Sequence, residues 1–362
     1  MKKILFSAYS LDIGGIETAL VTLLKYLTPM YKITLVLEKK QGVFLDSISK
    51  DVEIITYEPS KKKNVFLRKT ENFIKQFIFK IKHGNKYDFS GCFATYSLPS
   101  AFVARTASRN SAIWIHNNYM DFFENDISKY KKFFSDLKIE QYNKIIFVSE
   151  YDKKVFIAHM PQYSKKAIVC NNLIDYEKIQ EKSVEKIEDF KKDEIPTFLN
   201  VGRHDEKQKK LTRIINATKI LNGQGYKFKV IFIGNGQDTQ KYKELSKNIN
   251  NIEFLGPKKN PYPYMKNCDC VLMSSQFEGY PVVFVEAKIL EKPIITTEVS
   301  DSKNDVEGKY GIVVENSEDG VYKGMKQYLE NGFNVNKFNP QIFNDDIVKK
   351  LEKIIEDGVK IN

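Results

Sequence analysis

Short apolar runs alternate with longer amphipathic stretches along this chain, and the pattern occurs twice. "KKILFSAYS" predicts a strand, "GGIETALVTLLKYL" a loop running into an amphipathic helix, and "KITLVLEK" the next strand, which together make a βαβ unit. Apolar runs at "SGCFATYS", "SAIWIHNN" and "KIIFVSE" each lead into a polar or helical stretch, and "KAIVCNNLID" ends the series. Residues 176–196 are dominated by Lys, Glu and Asp and end at Pro196, which predicts a domain boundary. The alternation restarts at "TFLNVGRHD" and continues through "KFKVIFIGNG", "IEFLG", "CDCVLMSS" and "PIITTE", with helical stretches between them. A last helix is expected at "DDIVKKLEKIIEDGV".

The expected fold is α/β, with two Rossmann-like domains over 1–175 and 176–341 and a helix within 342–362 packing back on the first. A length of 362 residues suits two cores. Parallel sheets bind ligands at the carboxyl ends of their strands, so the expected site is a cleft between the domains.

Composition changes this picture little, and charge changes it more. No apolar run approaches the roughly 20 residues of a membrane span, and the start has only Ile4 to Phe6 before polar residues intervene, which argues against a secretory signal. The four cysteines are too sparse for a disulfide framework, and "CDC" lacks the spacing of zinc pairs, so a reducing cytoplasm is expected. Residues 1–175 carry 27 Lys and Arg against 17 Asp and Glu, whereas the rest carry 30 against 29. Within the basic half, residues 61–86 hold nine basic residues and one acidic, with Phe73, Ile74, Phe77, Ile78 and Ile81 at helical spacing. Such a helix can lie on an anionic membrane surface. Equally, its apolar stripe can pack on its own domain while the lysines are merely solvated. Nucleic acid is not an expected partner, because no zinc-finger, RNP-like or basic-zipper pattern occurs.

The chemistry concentrates in "SSQFEGYPVVFVEA", where Glu278 precedes a Gly-Tyr-Pro corner and Glu286 follows eight positions later in an apolar run. Gly279 permits a tight corner and Pro281 suits a first helical turn, so a helix is expected to begin there with its amide groups free for an oxygen-rich ligand. Two carboxylates at different depths suit a long polyhydroxylated ligand, each accepting from a pair of vicinal hydroxyls. In "NVGRHDEKQKKL", Arg203 follows a strand, and Lys209 and Lys210 stand at the turn into the next helix, which suits a diphosphate. In "DIGGIE", Gly14 and Gly15 let backbone approach a ligand closely at another helix start.

In these residues the chain resembles the family 4 retaining glycosyltransferases of GT-B fold, which transfer sugars from nucleotide diphosphate donors. The resemblance runs in order through "GGIE", "WIHNN", "VGRHDEKQKKL", "FIGNG", "IEFLG" and "CDCVLMSSQFEGYPVVFVEAKILEKPII". It implies that Gly15 contacts the donor phosphates through its backbone, that Arg203 and Lys209 hold the diphosphate, and that Glu286 binds the ribose. Glu278 and the backbone of Gly279, Tyr280, Pro281 and Val282 would hold the donor sugar, Pro257 would lie beside the base, and His116 near the sugar ring and reaction centre. Gly234 would form a tight turn on the wall of the nucleotide site.

Two departures stand out. The family pattern has a lysine five residues after the arginine, followed by glycine; here Gln208 holds that position, and Lys209 with Lys210 implies a one-residue insertion. Tyr280 stands where a phenylalanine is common, which leaves the sugar open.

The function implied is retaining transfer of a hexose from a nucleotide-sugar, a UDP-sugar by expectation, to a glycan or lipid-linked acceptor in bacterial surface-polysaccharide synthesis. The chain would work in the cytoplasm or on the inner face of the cell membrane. No Asp-x-Asp occurs, so no metal and no separate cofactor are expected. Two rivals share some of these features: a UDP-sugar 2-epimerase of similar architecture, and a non-catalytic membrane- or polyanion-binding protein. Ordinary structural readings also exist for single residues. His116 alone would be a satisfied structural histidine, Glu286 a snorkelling helix-edge residue, Cys268 and Cys270 core residues, and Asp269 a structural carboxylate. The "GNG" at 234–236 fails the dinucleotide fingerprint at Thr239.

Overall fold

The computed structural model describes residues 1–12 and 14–357. The end of the expected last helix, residues 358–362, lies outside the described residues. The chain divides into two compact units, one of Met1–Ile174 with the segment from Phe343, the other Asp175–Ile342.

The first unit is built on seven parallel strands: β1 (Lys3–Ala8), β2 (Lys32–Leu37), β3 (Glu53–Thr56), β4 (Phe89–Cys92), β5 (Ser111–Ile115), β6 (Lys144–Phe147) and β7 (Ala167–Val169). Their order is β3-β2-β1-β4-β5-β6-β7. The interior strand β1 is buried from Ile4 to Ala8, as expected where helices cover both faces of a parallel sheet. Phe6, Phe89 and Trp114 pack edge-to-face on one side of it, with centroids 5.8 to 6.3 Å apart. Gly91 makes that packing possible, because a Cβ there would come within 2.8 Å of Phe6 and 2.7 Å of Trp114.

The helix Pro340–Glu356 buries Ile347, Leu351, Ile354 and Ile355 in the same core. Its Asn344 side chain donates to the Ile174 carbonyl at 2.7 Å and accepts from the Ile174 amide at 3.1 Å. The helix Val65–His83 behaves differently. Of its residues only Phe79 is buried, whereas Phe73, Phe77 and Ile81 are 69%, 57% and 61% exposed. The reading in which its apolar stripe packs on its own domain is therefore overturned: the inward face is a narrow seam around Phe79, and the stripe points away from it.

The second unit has six parallel strands: β8 (Thr197–Val201), β9 (Lys229–Ile233), β10 (Ile252–Gly256), β11 (Cys270–Met273), β12 (Ile294–Thr297) and β13 (Gly311–Val314). Their order is β10-β9-β8-β11-β12-β13. Cys268 and Cys270 are buried free thiols, and Asp269 accepts from the Thr197 amide at 3.0 Å and from Lys192 at 2.8 Å. The segment expected as a boundary is partly ordered structure. Tyr176–Ser183 is a helix with buried Ile179, and it packs on the helices Tyr262–Asn267 and Val282–Ile289. The chain thus consists of two Rossmann-like α/β domains, the fold class expected from its alternation.

Candidate functional site

In the second unit the chain runs outward from β8 to β9 and β10, then returns to the other side of β8 as β11. That reversal is a topological switch point, where the loops after neighbouring strands diverge and leave room for a ligand. Arg203 lies just after β8, and Ser274 to Gly279 just after β11, so the sheet order alone brings the two sequence motifs together.

Their side chains interlock. Lys209 donates to Glu278 Oε1 at 2.5 Å, and Gln208 Nε2 donates to Glu278 Oε2 and to the Phe277 carbonyl, each at 3.3 Å. Arg203, which is exposed, donates to Gln208 Oε1 at 3.2 Å. Glu278 is only 7% exposed, so its charge needs the partner that Lys209 supplies. The loop carrying it is pinned from behind. The Gln276 amide donates to the Gln208 carbonyl at 2.7 Å, Ser274 Oγ donates to the Lys209 and Lys210 carbonyls, and Arg213 donates to the Ser274 carbonyl and the Gln276 side chain. Lys210 takes the left-handed conformation, φ 51 and ψ 43, at the head of the helix Leu211–Gly223.

The corner after Glu278 has its own support. Ser300 Oγ donates to the Gly279 carbonyl. Tyr280 turns its hydroxyl back to Asp305 Oδ2 at 3.0 Å, and the buried Lys288 pairs with the other oxygen of Asp305. Two details differ from expectation. The helix is Val282–Ile289, with Pro281 in extended conformation as its cap rather than in its first turn, and Pro281 has no N–H to offer, so the amides of this corner are those of Gly279, Tyr280 and Val282.

One turn into that helix, Glu286 Oε1 accepts from the Tyr262 hydroxyl at 3.2 Å. Glu286 is no snorkelling residue: burial pushes its carboxyl up from 4.5 to about 7, partly offset by the Tyr262 bond. Tyr262 escaped sequence reasoning, and Gln208 was singled out only as a departure from the family spacing, not as a partner of Glu278. Tyr262 sits in "NPYPYMKN", where no periodicity marks it.

Gly234 follows β9 with φ 144, and a Cβ there would lie 1.8 Å from the Gly202 carbonyl oxygen, so this turn accepts only glycine. Beneath it His204 is fully buried, its Nδ1 2.9 Å from Thr239 Oγ1 and its Nε2 without a partner. Pro257, after β10, is exposed.

Gly14, Gly15 and His116 belong to the first unit. Gly14 caps the helix Gly15–Leu27 with extended backbone, and a Cβ at Gly15 would meet no atom within 4 Å. His116 follows β5 and packs on Phe93 at 4.4 Å. Its two ring nitrogens are buried and find no hydrogen-bond partner among the described residues, which does not fit the reading as a satisfied structural histidine. Burial pushes the imidazole down to about 3, so it is neutral at physiological pH.

Among the described residues, no cluster of three or more His, Cys, Asp or Glu side chains could hold a metal ion, and no helix is long and apolar enough to cross a membrane.

An uncharacterized glycosyltransferase of Methanocaldococcus jannaschii is 28% identical over 54% of this chain, and the match spans about half, 49%, of that relative. The N-acetylgalactosamine-N,N'-diacetylbacillosaminyl-diphospho-undecaprenol 4-alpha-N-acetylgalactosaminyltransferase of Campylobacter jejuni is 27% identical, with 91% of each chain covered. Among solved structures, HepE of Anabaena in complex with UDP and glucose superposes with a TM-score of 0.73 at 17% identity, covering 97% of this chain and 100% of that one. TarM of S. aureus, in a complex that includes UDP, gives 0.77 at 13% identity, covering 99% and 100%. Those likenesses establish a shared fold. The family match to glycosyl transferases group 1 covers residues 181–345, which hold the glutamate pair and the strand-end cations. What the chain shares with the group 1 glycosyl transferases is thus a match over residues 181–345, nearly all of it in the second unit.

Proposed function

We propose that the chain is a retaining glycosyltransferase that moves a hexose from a UDP-sugar to a hydroxyl of a glycan or lipid-linked acceptor, in the synthesis of a bacterial surface polysaccharide. The observation that carries this reading is the pairing of two carboxylate sites at one switch point: Glu278 held by Lys209 and Gln208, and Glu286 held by Tyr262. A diphosphate would draw on Arg203 and Lys209, a ribose on Glu286, and a sugar on Glu278 with the amides of Gly279, Tyr280 and Val282. The family pattern adds Pro257 beside the base, Gly234 on the wall, Gly14 and Gly15 toward the phosphates, and a neutral His116 toward the sugar.

Donor and acceptor are taken from relatives. The names of two solved neighbours include bound UDP, and the Campylobacter jejuni relative is named for a diphospho-undecaprenol substrate. An acceptor of that kind would bring the enzyme to the inner face of the cell membrane. In the proposed step the bond from the sugar's anomeric carbon to the diphosphate oxygen breaks, and a bond to the acceptor oxygen forms on the same face. The acceptor's proton passes to the departing phosphate. Cations at Arg203 and Lys209 then stabilise the charge that develops on the leaving group, with the donor as substrate and no separate cofactor.

Calorimetry with UDP, GDP, ADP and their sugar conjugates tests this, with and without magnesium. Selective binding of one nucleotide is expected, weakened at least tenfold in Glu286→Ala and in Lys209→Ala. If no nucleotide binds, the reading fails. Product analysis without acceptor distinguishes transfer from 2-epimerisation, which would convert the donor alone.

A further inference from the structure

The helix Val65–His83 presents an apolar face that none of the described residues covers. At 100° per residue, Phe73, Phe77, Ile81, Ile74, Leu67 and Ile78 fall within about 140° of its circumference, and each is at least 45% exposed. The opposite side holds Phe79, the one buried residue, which packs on Tyr57 at 5.2 Å and Phe102 at 6.0 Å. An ordinary surface helix turns its stripe to the core and its charges to water. This one is inverted.

Its charges are arranged around the stripe. Lys69 and Lys80 follow one edge, and Lys82 and Arg68 the other, so each long side chain can lie along apolar surface while its head reaches outward. Ahead of the helix Lys63 adds to this charge, whereas Lys61 pairs with Glu58 and Lys62 with Glu71. The single acidic residue of 61–86, Glu71, accepts from Ser60 at 2.7 Å and pairs with Lys75 at 3.0 Å and Lys62 at 3.3 Å, so it offsets those two cations and leaves the edges to Lys69, Lys80, Lys82 and Arg68. Nineteen residues make a cylinder roughly 28 Å long, capped at its start by Asn64, which accepts from the Leu67 amide. The helix is therefore formed before any partner arrives.

We propose that Val65–His83 lies in the plane of an anionic lipid surface, with Phe73, Phe77 and Ile81 among the acyl chains and the lysines at its edges on lipid phosphates. A second copy of the chain fits less well. Two such faces brought together by a two-fold axis would set nine basic residues against nine with one acid on each side, whereas acidic lipid headgroups neutralise them. The proposal does not depend on the glycosyl-transfer reading, because it concerns the first unit and needs no nucleotide.

Co-sedimentation of the full chain with phosphatidylglycerol-containing vesicles, against pure phosphatidylcholine vesicles, tests it. Selective binding to the anionic vesicles is expected. Lys69→Ala, Lys80→Ala and Lys82→Ala together should lower partitioning about a hundredfold, at roughly fivefold per basic residue near such a surface. Phe73→Ser with Phe77→Ser should abolish binding, and raised salt should not restore it. These side chains are exposed, so thermal melts should match wild type in both variants. The proposal is overturned if the full chain ignores anionic vesicles, or if both variants bind as well as wild type. It is also overturned if the phenylalanine variant merely converts a dimer to a monomer with vesicle binding unchanged.

Discussion

Replacing Glu286 with glutamine should separate the residue's cost to the free protein from its value to a bound nucleotide. Burial holds its carboxyl near 7, against 4.5 in the ordinary case, so the folded protein keeps a proton that the unfolded chain has lost over that interval. The sign follows directly. Its favourable contribution to stability is full below pH 4.5 and is lost as pH rises through about 7. Ribose hydroxyls want the opposite state, because an ionised carboxylate accepts from both, whereas the protonated acid has lost an acceptor. Nucleotide affinity should therefore fall with pH below about 7, by up to tenfold per unit. The assay is calorimetry with UDP from about pH 8 to about pH 6. Phosphate groups titrate near pH 6 themselves, so the informative quantity is the ratio of wild-type to Glu286→Gln affinity, from which that titration cancels. The ratio should drop about tenfold over the range, and Glu286→Gln should gain thermal stability relative to wild type as pH rises. Parallel pH profiles for the two proteins would refute the reasoning, since they would mean that Glu286 does not ionise on binding.

Two substitutions test the scaffold around the site. Tyr280→Phe removes a hydroxyl that donates to Asp305 at 3.0 Å, so it should cost about 1 kcal/mol in chemical denaturation and leave UDP affinity unchanged; a lost affinity would place the hydroxyl on the ligand instead. Lys210→Gly should stabilise the protein by about 1 kcal/mol, because Lys210 holds φ 51, and a lower melting temperature would refute the cost assigned to that conformation.

Much of this was legible in the sequence, for physical reasons that also explain what was hidden. Strands buried on both faces read as apolar runs, so β1, β8 and β11 announced themselves, and with them the loops that carry Arg203 and Glu278. By contrast, β3 has no fully buried residue and β13 only one, so their patterns are weak. The direction of the Val65–His83 stripe could not be read, because hydrophobic periodicity is the same whether the apolar face meets a core or faces outward. Likewise the spacing of Glu278 and Glu286 pointed to carboxylates at two depths, but it could not supply Tyr262, which reaches Glu286 from another helix. The ordinary readings of single residues divided on packing. Cys268 and Cys270 lie in the core, whereas His116 has two buried nitrogens that none of the described residues satisfies.

The departure from family spacing between Arg203 and Lys209 is absorbed within the loop itself. An extra residue there must put both its backbone and its side chain somewhere. The Lys209 amide donates to the Asp205 carbonyl at 2.7 Å, and the Gln208 carbonyl accepts from Gln276, which ties the lengthened turn to the loop after β11. Lys210 then redirects the chain through a left-handed residue, where the family pattern has glycine, so that Leu211, Ile214 and Ile215 enter the core in register. This supports aligning Lys209 with the family's lysine. The conformational cost at Lys210 is of order 1 kcal/mol, and it is offset by what the added residue contributes: the Gln208 amide joins Arg203 on one side to Glu278 on the other. Arg203, Gln208, Lys209 and Glu278 consequently form one hydrogen-bonded network. Charge arriving at either cation changes the partners left for the buried carboxylate, so a diphosphate that draws Lys209 away would free Glu278 to accept from a sugar hydroxyl.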